Sequence, residues 1–138
     1  MPASNEEGVL NLSDIRRLYV RKKAGFRQGE ESLTAELKEV LGDRIEGCGI
    51  YHRYDVDGLS GEDYEKAVST VFSEPPVDSV ETQLPKGDLV IGVEFLPGQY
   101  DQRADSAEQC LAIVTGKDGA RVRCALVYTF DGHFAEGD

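Results

Sequence analysis

The sequence predicts an α+β fold built from two similar halves that share one sheet. One reason is the order of the elements: a strand, a glycine turn, a helix and a second strand follow one another twice. Another is the spacing of the punctuating glycines, since the turn glycines lie 73 residues apart and the helix-ending and closing glycines 74. The pairs are Gly25 and Gly98, Gly42 and Gly116, and Gly58 and Gly132. One inserted residue reconciles all three, which is typical of an internal duplication.

The first half, residues 14–85, opens with a half-buried strand. IRRLYVRK alternates apolar and polar side chains, so Leu18 and Val20 are expected to face the core. A turn at Gly25 leads into an amphipathic helix that ends at Gly42. The apolar face of that helix carries Leu33, Leu37, Val40 and Leu41.

A second strand and a second helix follow in the same half. Alternation returns from Cys48 to Val56 and predicts a strand. Ser60, followed three residues later by Asp63, is a helix-start signal, and the two prolines at 75–76 end that helix. Its apolar stripe consists of Tyr64, Ala67, Val68, Val71 and Phe72.

The second half, residues 86–134, repeats the strand, helix and strand. Its first strand alternates most clearly, and its apolar side chains are expected to form the strongest core-facing side of the chain. These residues are Leu89, Ile91, Val93 and Phe95. A helix marked by Ala104 and Leu111 and a last strand ending near Phe130 complete the half. Residues 1–13 are predicted to be a flexible leader, and residues 135–138 the start of a linker.

Composition limits the class of protein and its partners. A chain of 138 residues suits one domain, or two small halves with a common core. Its 26 acidic and 15 basic residues give a net charge of −11, which repels phosphate backbones and anionic lipid. Nucleic acid and membranes are therefore not expected as partners. With no long apolar segment and no signal peptide, the sequence predicts a cytoplasmic protein.

Few residues point to chemistry of the chain's own. Three cysteines, Cys48, Cys110 and Cys124, match no zinc or redox spacing and are interpreted as buried thiols in a reducing compartment. His52 is expected to pack in the core, and His133 to lie near a frayed terminus. No nucleophile motif or phosphate-binding glycine loop is present in the sequence.

Residues 55–58, DVDG, resemble the start of a calcium-binding loop. With Gly58 at the sixth position of such a loop, Arg53 would stand first and Tyr64 last, and neither supplies the required oxygen ligand. A turn between strand and helix is therefore the simpler interpretation. No metal site is predicted.

The segment LPGQYDQRADSAEQC, residues 96–110, joins the strongest strand to the third helix through Gly98. It places a dense polar group at a helix N-terminus, where free backbone amides attract anions or acidic side chains. The group comprises Gln99, Asp101, Gln102, Arg103 and Asp105. Either Asp101 or Asp105 merely caps the helix, or the group forms a contact site.

This segment also carries a resemblance to a known family. Together with RYDVDGLSGEDYEKA (53–67) and TVFSEPPVD (70–78), it resembles the N-terminal region of the large, single-chain phosphoribosylformylglycinamidine synthase of clostridia and related bacteria. The similarity covers nearly all of residues 14–130. In that family, the region is similar to two fused copies of a small dimeric subunit. The predicted fold is therefore two fused ferredoxin-like halves, with a largely antiparallel sheet and helices on one face.

The resemblance implies an assembly role. The whole enzyme uses ATP, magnesium and glutamine to convert formylglycinamide ribonucleotide into formylglycinamidine ribonucleotide in purine biosynthesis. Its glutaminase and synthetase domains carry the catalytic residues, so this chain is expected to hold no cofactor and no catalytic residue. It is expected to hold the two domains together and to support the ammonia path between them. The isolated chain is expected to expose an apolar patch and to self-associate.

The polar loop supplies the expected contacts to the synthetase domain. These contacts are Pro97, Gly98, Gln99, Asp101, Gln102, Arg103 and Asp105. Gly98 lets the backbone turn, Arg103 can form a forked pair with a carboxylate, and the acids can cap or bridge.

Two other classes of function remain open at this point. A free-standing regulatory module would bind a small effector between the halves and would need polar groups converging from both helix starts. The first helix start, residues 27–30, is less elaborate than the second. A small phosphatase of the acylphosphatase kind would need an asparagine to position water, and the asparagines of the chain, Asn5 and Asn11, lie in the leader.

Overall fold

The computed structural model describes residues 15–134. The predicted leader and the predicted linker start therefore lie outside the described residues. The strands are β1 Arg16–Lys22, β2 Ile45–Asp57, β3 Asp78–Glu81, β4 Leu89–Glu94 and β5 Arg121–Gly132. The helices are α1 Gln28–Leu41, α2 Gly61–Ala67 and α3 Gln102–Thr115, with a 3₁₀ turn at Gly42–Arg44 and a π-helical turn at Val68–Phe72.

Within residues 15–134, the strands form one five-stranded sheet in the order β3-β1-β2-β5-β4. Every neighbouring pair is antiparallel. The two longest strands, β2 and β5, pair at the centre from Ile45–Gly132 to Asp57–Arg121. The predicted α+β class, with a largely antiparallel sheet, is confirmed.

The two halves of the chain contribute equivalent elements to the centre of the sheet. The segments β1-α1-β2 and β4-α3-β5 have the same order of elements, and they place β2 beside β5 with β1 and β4 outside them. In the β2–β5 register His52 lies opposite Leu126, and these positions are 74 residues apart, the spacing of the repeated glycines. A residue a given number of positions before His52 and its repeat-equivalent on β5 therefore lie at equal distances from the His52–Leu126 pair, on opposite sides of it. Cys48, for example, pairs with Phe130, and its repeat-equivalent Val122 pairs with Val56.

The main core lies on one face of the sheet. We call α2 and the π-helical turn that follows it the second helical segment. The core contains Leu18 and Val56 from the strands, Ala67 and Phe72 from the second helical segment, and Leu111 of α3. Burying each of the larger side chains stabilises the fold by about 1.5–3 kcal/mol. A smaller cluster of Tyr19, Tyr51 and Val127 lies on the opposite face.

Helix α2 begins where the sequence predicts. The hydroxyl of Ser60 accepts a hydrogen bond from the backbone N–H of Asp63 at 3.1 Å, which satisfies one of the free amides of the first turn. Tyr64 and Ala67 lie on the buried face of this helix. The π-helical turn continues to Phe72, before the two prolines.

The apolar side of β4 is not buried, and the expectation that it faces the core is wrong. Leu89, Ile91, Val93 and Phe95 are each 40–50% exposed. They follow the alternation of a half-buried strand, but β4 is an edge strand, and no residue of it belongs to the main core cluster. Val40, predicted on the apolar face of α1, is also exposed.

Residues 55–57 are the end of β2, and the predicted turn between a strand and a helix begins at Gly58. Asp55 is held by Arg17 in a forked ion pair, with Nε to Oδ1 at 2.6 Å and Nη2 to Oδ2 at 2.9 Å. Gly58 has a φ of 90°, in the region that favours glycine. A Cβ atom at Gly58 would lie 2.9 Å from the carbonyl oxygen of Gly119.

We expect Gly58→Ala to lower the free energy of unfolding by about 1–3 kcal/mol, because it combines backbone strain with a close contact to Gly119. Gly92→Ala is the matched control, since a Cβ atom there meets nothing within 4 Å and the residue has no positive φ. Urea unfolding followed by circular dichroism measures both. Equal midpoints for the two variants would contradict the close packing of this turn.

Candidate functional site

The predicted contact residues, Pro97 to Asp105, lie where β4 is joined to the first turns of α3, and we call this segment the contact loop. Hydrogen bonds between Leu96 and Gln99 close its turn. The side-chain oxygen of Gln99 accepts a hydrogen bond from the N–H of Leu96 at 2.9 Å, and the N–H of Gln99 donates to the carbonyl of Leu96 at 2.9 Å. Gly98 has a φ of 82°, which a tight turn with a left-handed residue requires. Pro97 and Gly98 therefore lie on an exposed turn.

Asp101 caps α3 and also ties it to the sheet. One carboxylate oxygen accepts from the N–H of Ala104 at 2.9 Å, which is the capping interaction, and the other accepts from the N–H of Cys124 on β5 at 3.1 Å. The capping interpretation is therefore correct for Asp101. The bond to Cys124 could not be inferred from the local sequence.

The remaining charged residues of the loop also have partners within the chain. Arg103 donates to the hydroxyl of Tyr54 at 3.1 Å. Asp105 accepts from the hydroxyl of Tyr100 at 3.0 Å and from the side-chain amide of Gln109 at 3.0 Å. Gln102 is exposed on the first turn of α3. The structure thus gathers the seven predicted residues at one place, with most of the polar groups holding the loop in shape.

An apolar surface lies beside this loop, at a place where the sequence analysis expected core residues. We call it the β4 surface. It consists of Leu89, Ile91, Val93, Phe95, Leu96 and Tyr100, all exposed. Leu126, Tyr128 and Phe130 of β5 lie opposite β4 residues of this surface and are half-buried. The β4 surface ends at a strand edge that no described segment pairs with.

The other end of the sheet differs in being covered. There β3 pairs with the outer edge of β1, with Val80 opposite Val20. Tyr64 and Phe72 pack over the same strand in the main core. Among residues 15–134, no corresponding helix and strand cover β4.

A cavity of about 540 Å³ lies on the helix-covered face between the start of α1, the π-helical turn and Arg103. Val20, Ile50, His52 and Tyr54 line it from the sheet. Residues at the starts of both long helices contribute to its lining. They are Phe26, Arg27, Gly29 and Glu30 before and in the first turn of α1, and Arg103 in the first turn of α3.

The start of α1 is fixed beside this cavity by a buried carboxylate. Glu30 accepts two hydrogen bonds from Arg21, at 2.7 and 2.8 Å, and a third from the N–H of Ile50 at 3.0 Å. Burial raises the pKa of Glu30, but the bonds from Arg21 and Ile50 outweigh that effect, and the pKa lies below its ordinary value of 4.5. Glu30 is therefore charged at neutral pH.

His52 is half-buried in the cavity and remains neutral. Burial, followed by the nearby charges of Arg103 and Lys22, lowers its pKa to about 4, while Asp78 acts weakly in the opposite direction. The imidazole can therefore donate one hydrogen bond and accept another at neutral pH.

Within residues 15–134, no cluster of three or more histidine, cysteine, aspartate or glutamate side chains is arranged to hold a metal ion. No helix of the same range is long and apolar enough to cross a bilayer. The prediction of buried thiols is correct for Cys124, whose pKa burial raises to about 12. It is wrong for Cys110, which is exposed, and Cys48 is half-buried.

Comparison with known proteins found no matching family model, no matching curated protein and no matching solved structure. A functional interpretation therefore depends on the sequence resemblance and on the two surface features just described, the β4 surface and the cavity. Both features lie around the contact loop, because Arg103 lines the cavity and Phe95 leads into the loop.

We expect Glu30→Gln to flatten the acid dependence of stability. Because the pKa of Glu30 is lowered in the folded chain, its stabilising contribution is present above about pH 4.5 and is lost as the pH falls through the folded pKa. At pH 7 the variant should lose about 2 kcal/mol of unfolding free energy. Urea unfolding between pH 2 and 7 measures this, with the exposed neighbour Glu31→Gln as control. Parallel curves for the two variants would contradict the assignment.

Proposed function

We propose that this chain is the N-terminal assembly domain of a large phosphoribosylformylglycinamidine synthase. In this proposal, it acts in the cytoplasm, holds the synthetase and glutaminase domains of the enzyme in place, and supports the ammonia path between them. ATP and magnesium bind to the synthetase domain, and the chain itself carries no catalytic residue. The sequence resemblance over residues 14–130 suggests this role, and the exposed β4 surface is the structural observation that carries it.

The proposal includes two fused ferredoxin-like halves, residues 14–85 and 86–134. In each half, a carboxylate at the start of the long helix accepts the N–H of the second strand: Glu30 from Ile50, and Asp101 from Cys124. Ile50 and Cys124 are 74 residues apart, which is the spacing of the repeat. The two strand donors occupy matched positions of the repeat, which supports an origin by duplication. The acceptors do not match, since Glu30 is the third residue of α1 and Asp101 is the residue before α3, 71 positions later.

The β4 surface is suited to bind a larger body. Six exposed apolar or aromatic residues at one edge form the kind of patch that a partner covers, because leaving it in water forfeits about 25 cal/mol for each Å². The free edge of β4 can also accept a strand through its backbone. At the opposite edge, a helix and a strand perform this covering, so the proposed occupant is a helix or strand of the synthetase domain.

The contact loop then has two kinds of residues. Pro97, Gly98 and Gln102 are exposed and are proposed to touch the synthetase domain directly. Gln99, Asp101, Arg103 and Asp105 already hold bonds within the chain. These four are proposed to act by keeping the loop in the shape that the partner recognises.

In the complete enzyme, we expect Ile91→Glu combined with Val93→Glu to lower glutamine-dependent product formation at least about tenfold. A carboxylate forced into an apolar interface costs several kcal/mol, and the glutaminase would then be misplaced. Activity with added ammonium salt should be largely kept, because that reaction needs the synthetase domain alone. Steady-state assays with glutamine and with ammonium chloride measure the two activities.

The control is Ile113→Glu, which changes an isoleucine that is 82% exposed on α3 and outside the β4 surface. Ile91→Thr with Val93→Thr keeps strand propensity and should give a smaller loss of the same kind. Wild-type glutamine-dependent activity in the Glu double variant would refute the docking role of this surface. So would an equal loss in the Ile113 control.

The isolated chain offers a second measurement. We expect it to self-associate at concentrations of about 10–100 μM, because a second copy can cover the same apolar edge. Ile91→Glu with Val93→Glu should sediment as a monomer, and Ile113→Glu should behave as the wild type. Sedimentation equilibrium distinguishes these results, and a wild-type chain that stays monomeric at the highest concentration would contradict the expectation.

A further inference from the structure

The cavity beside His52 has the size and the lining of a small-molecule site. Its volume of about 540 Å³ falls within the range of roughly 300–1,000 Å³ found for ligand pockets. Apolar side chains form part of its wall, including Val20, Ile50 and Phe72. Polar groups reach it from the sheet and from both long helices.

Some of the charged side chains that line the cavity form ion pairs, and others do not. Arg27 donates to the carbonyl of Lys22 at 2.7 Å, and Arg103 donates to the hydroxyl of Tyr54 at 3.1 Å. Each guanidinium has further N–H groups, and neither forms an ion pair with a carboxylate of residues 15–134. Two arginines without an ion pair to a carboxylate of the described residues therefore border one cavity, and Arg27 is near enough to Glu30 to help lower the pKa of that carboxyl.

The carboxylates that line the same cavity are mostly engaged. Glu30 is bound by Arg21 and by Ile50. Asp78 pairs with Lys22 at 3.1 Å and accepts the N–H of Glu74 at 2.8 Å. The carboxylate of Glu74 is exposed. The described charged groups that line the cavity without an ion pair are thus two arginines, Arg27 and Arg103, and one carboxylate, Glu74. Their charge is mainly positive, although the chain as a whole carries −11.

We infer that this cavity binds a small organic anion, a carboxylate or phosphate joined to an apolar body. The anionic group lies with Arg27 and Arg103, the apolar body lies against Val20, Ile50 and Phe72, and neutral His52 offers a hydrogen bond between them. A guanidinium suits both kinds of oxyanion because its planar N–H groups match their geometry. Binding here is separate from docking at the β4 surface.

The test uses the 138-residue chain and four probes: phenyl phosphate, benzoate, inorganic phosphate and benzyl alcohol. Calorimetry should show saturable binding of phenyl phosphate or benzoate, with inorganic phosphate weaker by at least about fivefold because it lacks the apolar body. Benzyl alcohol, which has that body but no charge, should not saturate. Whichever aromatic anion binds more tightly identifies the oxyanion.

A spectroscopic measurement locates the ligand. The chain contains two histidines, His52 and His133, so the imidazole signals can be followed separately by NMR. An anion placed among Arg103, Lys22 and Arg27 should raise the pKa of His52 from about 4, because it offsets the positive charges that now lower it. The NMR signals of His133, which is exposed near Glu46, should not change when the anion is added.

Variants of opposite sign complete the test. Arg27→Ala and Arg103→Ala should each weaken binding about tenfold, as loss of a charge-assisted hydrogen bond does, whereas Glu74→Gln should tighten it. Arg121→Ala is the matched control, since Arg121 is exposed and does not line the cavity. No saturable binding up to about 10 mM, equal binding of benzyl alcohol, or an equal loss in the Arg121 control would each overturn the proposal. Such a failure would leave the assembly role untouched, because that role is measured at Ile91 and Val93.

Discussion

The arrangement of this molecule depends on one kind of interaction, a carboxylate at the start of a helix that accepts a backbone N–H of a central strand. Residue pairing between β1 and β2 stops at His52, and pairing between β4 and β5 stops at Ala125. Glu30 bonds to Ile50 and Asp101 bonds to Cys124 just beyond those points. A buried N–H left unpaired would cost about 1–3 kcal/mol, so each carboxylate satisfies the strand and fixes the helix together.

Both proposed sites depend on these two anchors. Fixing α1 at Glu30 brings Arg27 to the cavity, and fixing α3 at Asp101 brings Arg103 to the same cavity from the other helix. The second anchor also sets the contact loop, because Asp101 stands between the turn at Gly98 and the first turn of α3. The anchors thus connect the proposed ligand at the sheet centre to the loop proposed to meet a partner.

The two edges of the sheet show how a similar strand can have different surroundings. At the β1 edge, β3 and the second helical segment supply neighbours for Val20 and Leu18. At the β4 edge, Ile91 and Val93 have the same alternation but remain exposed. This contrast gives the assembly proposal its physical content, since the exposed edge needs the kind of covering that the other edge already has.

Local patterns in the sequence determined the elements: alternation produced the strands, glycines and Ser60 set helix and turn boundaries, and the glycine spacing anticipated the order of strand, helix and strand. These features depend on neighbours within a few residues, so a sequence can reveal them. Tertiary structure alone decided that β4 lies at an edge, that Asp101 reaches Cys124, and that Arg27 and Arg103 share a cavity. Alternation shows that a strand has an apolar side, but the covering of that side depends on which distant segments pack against it.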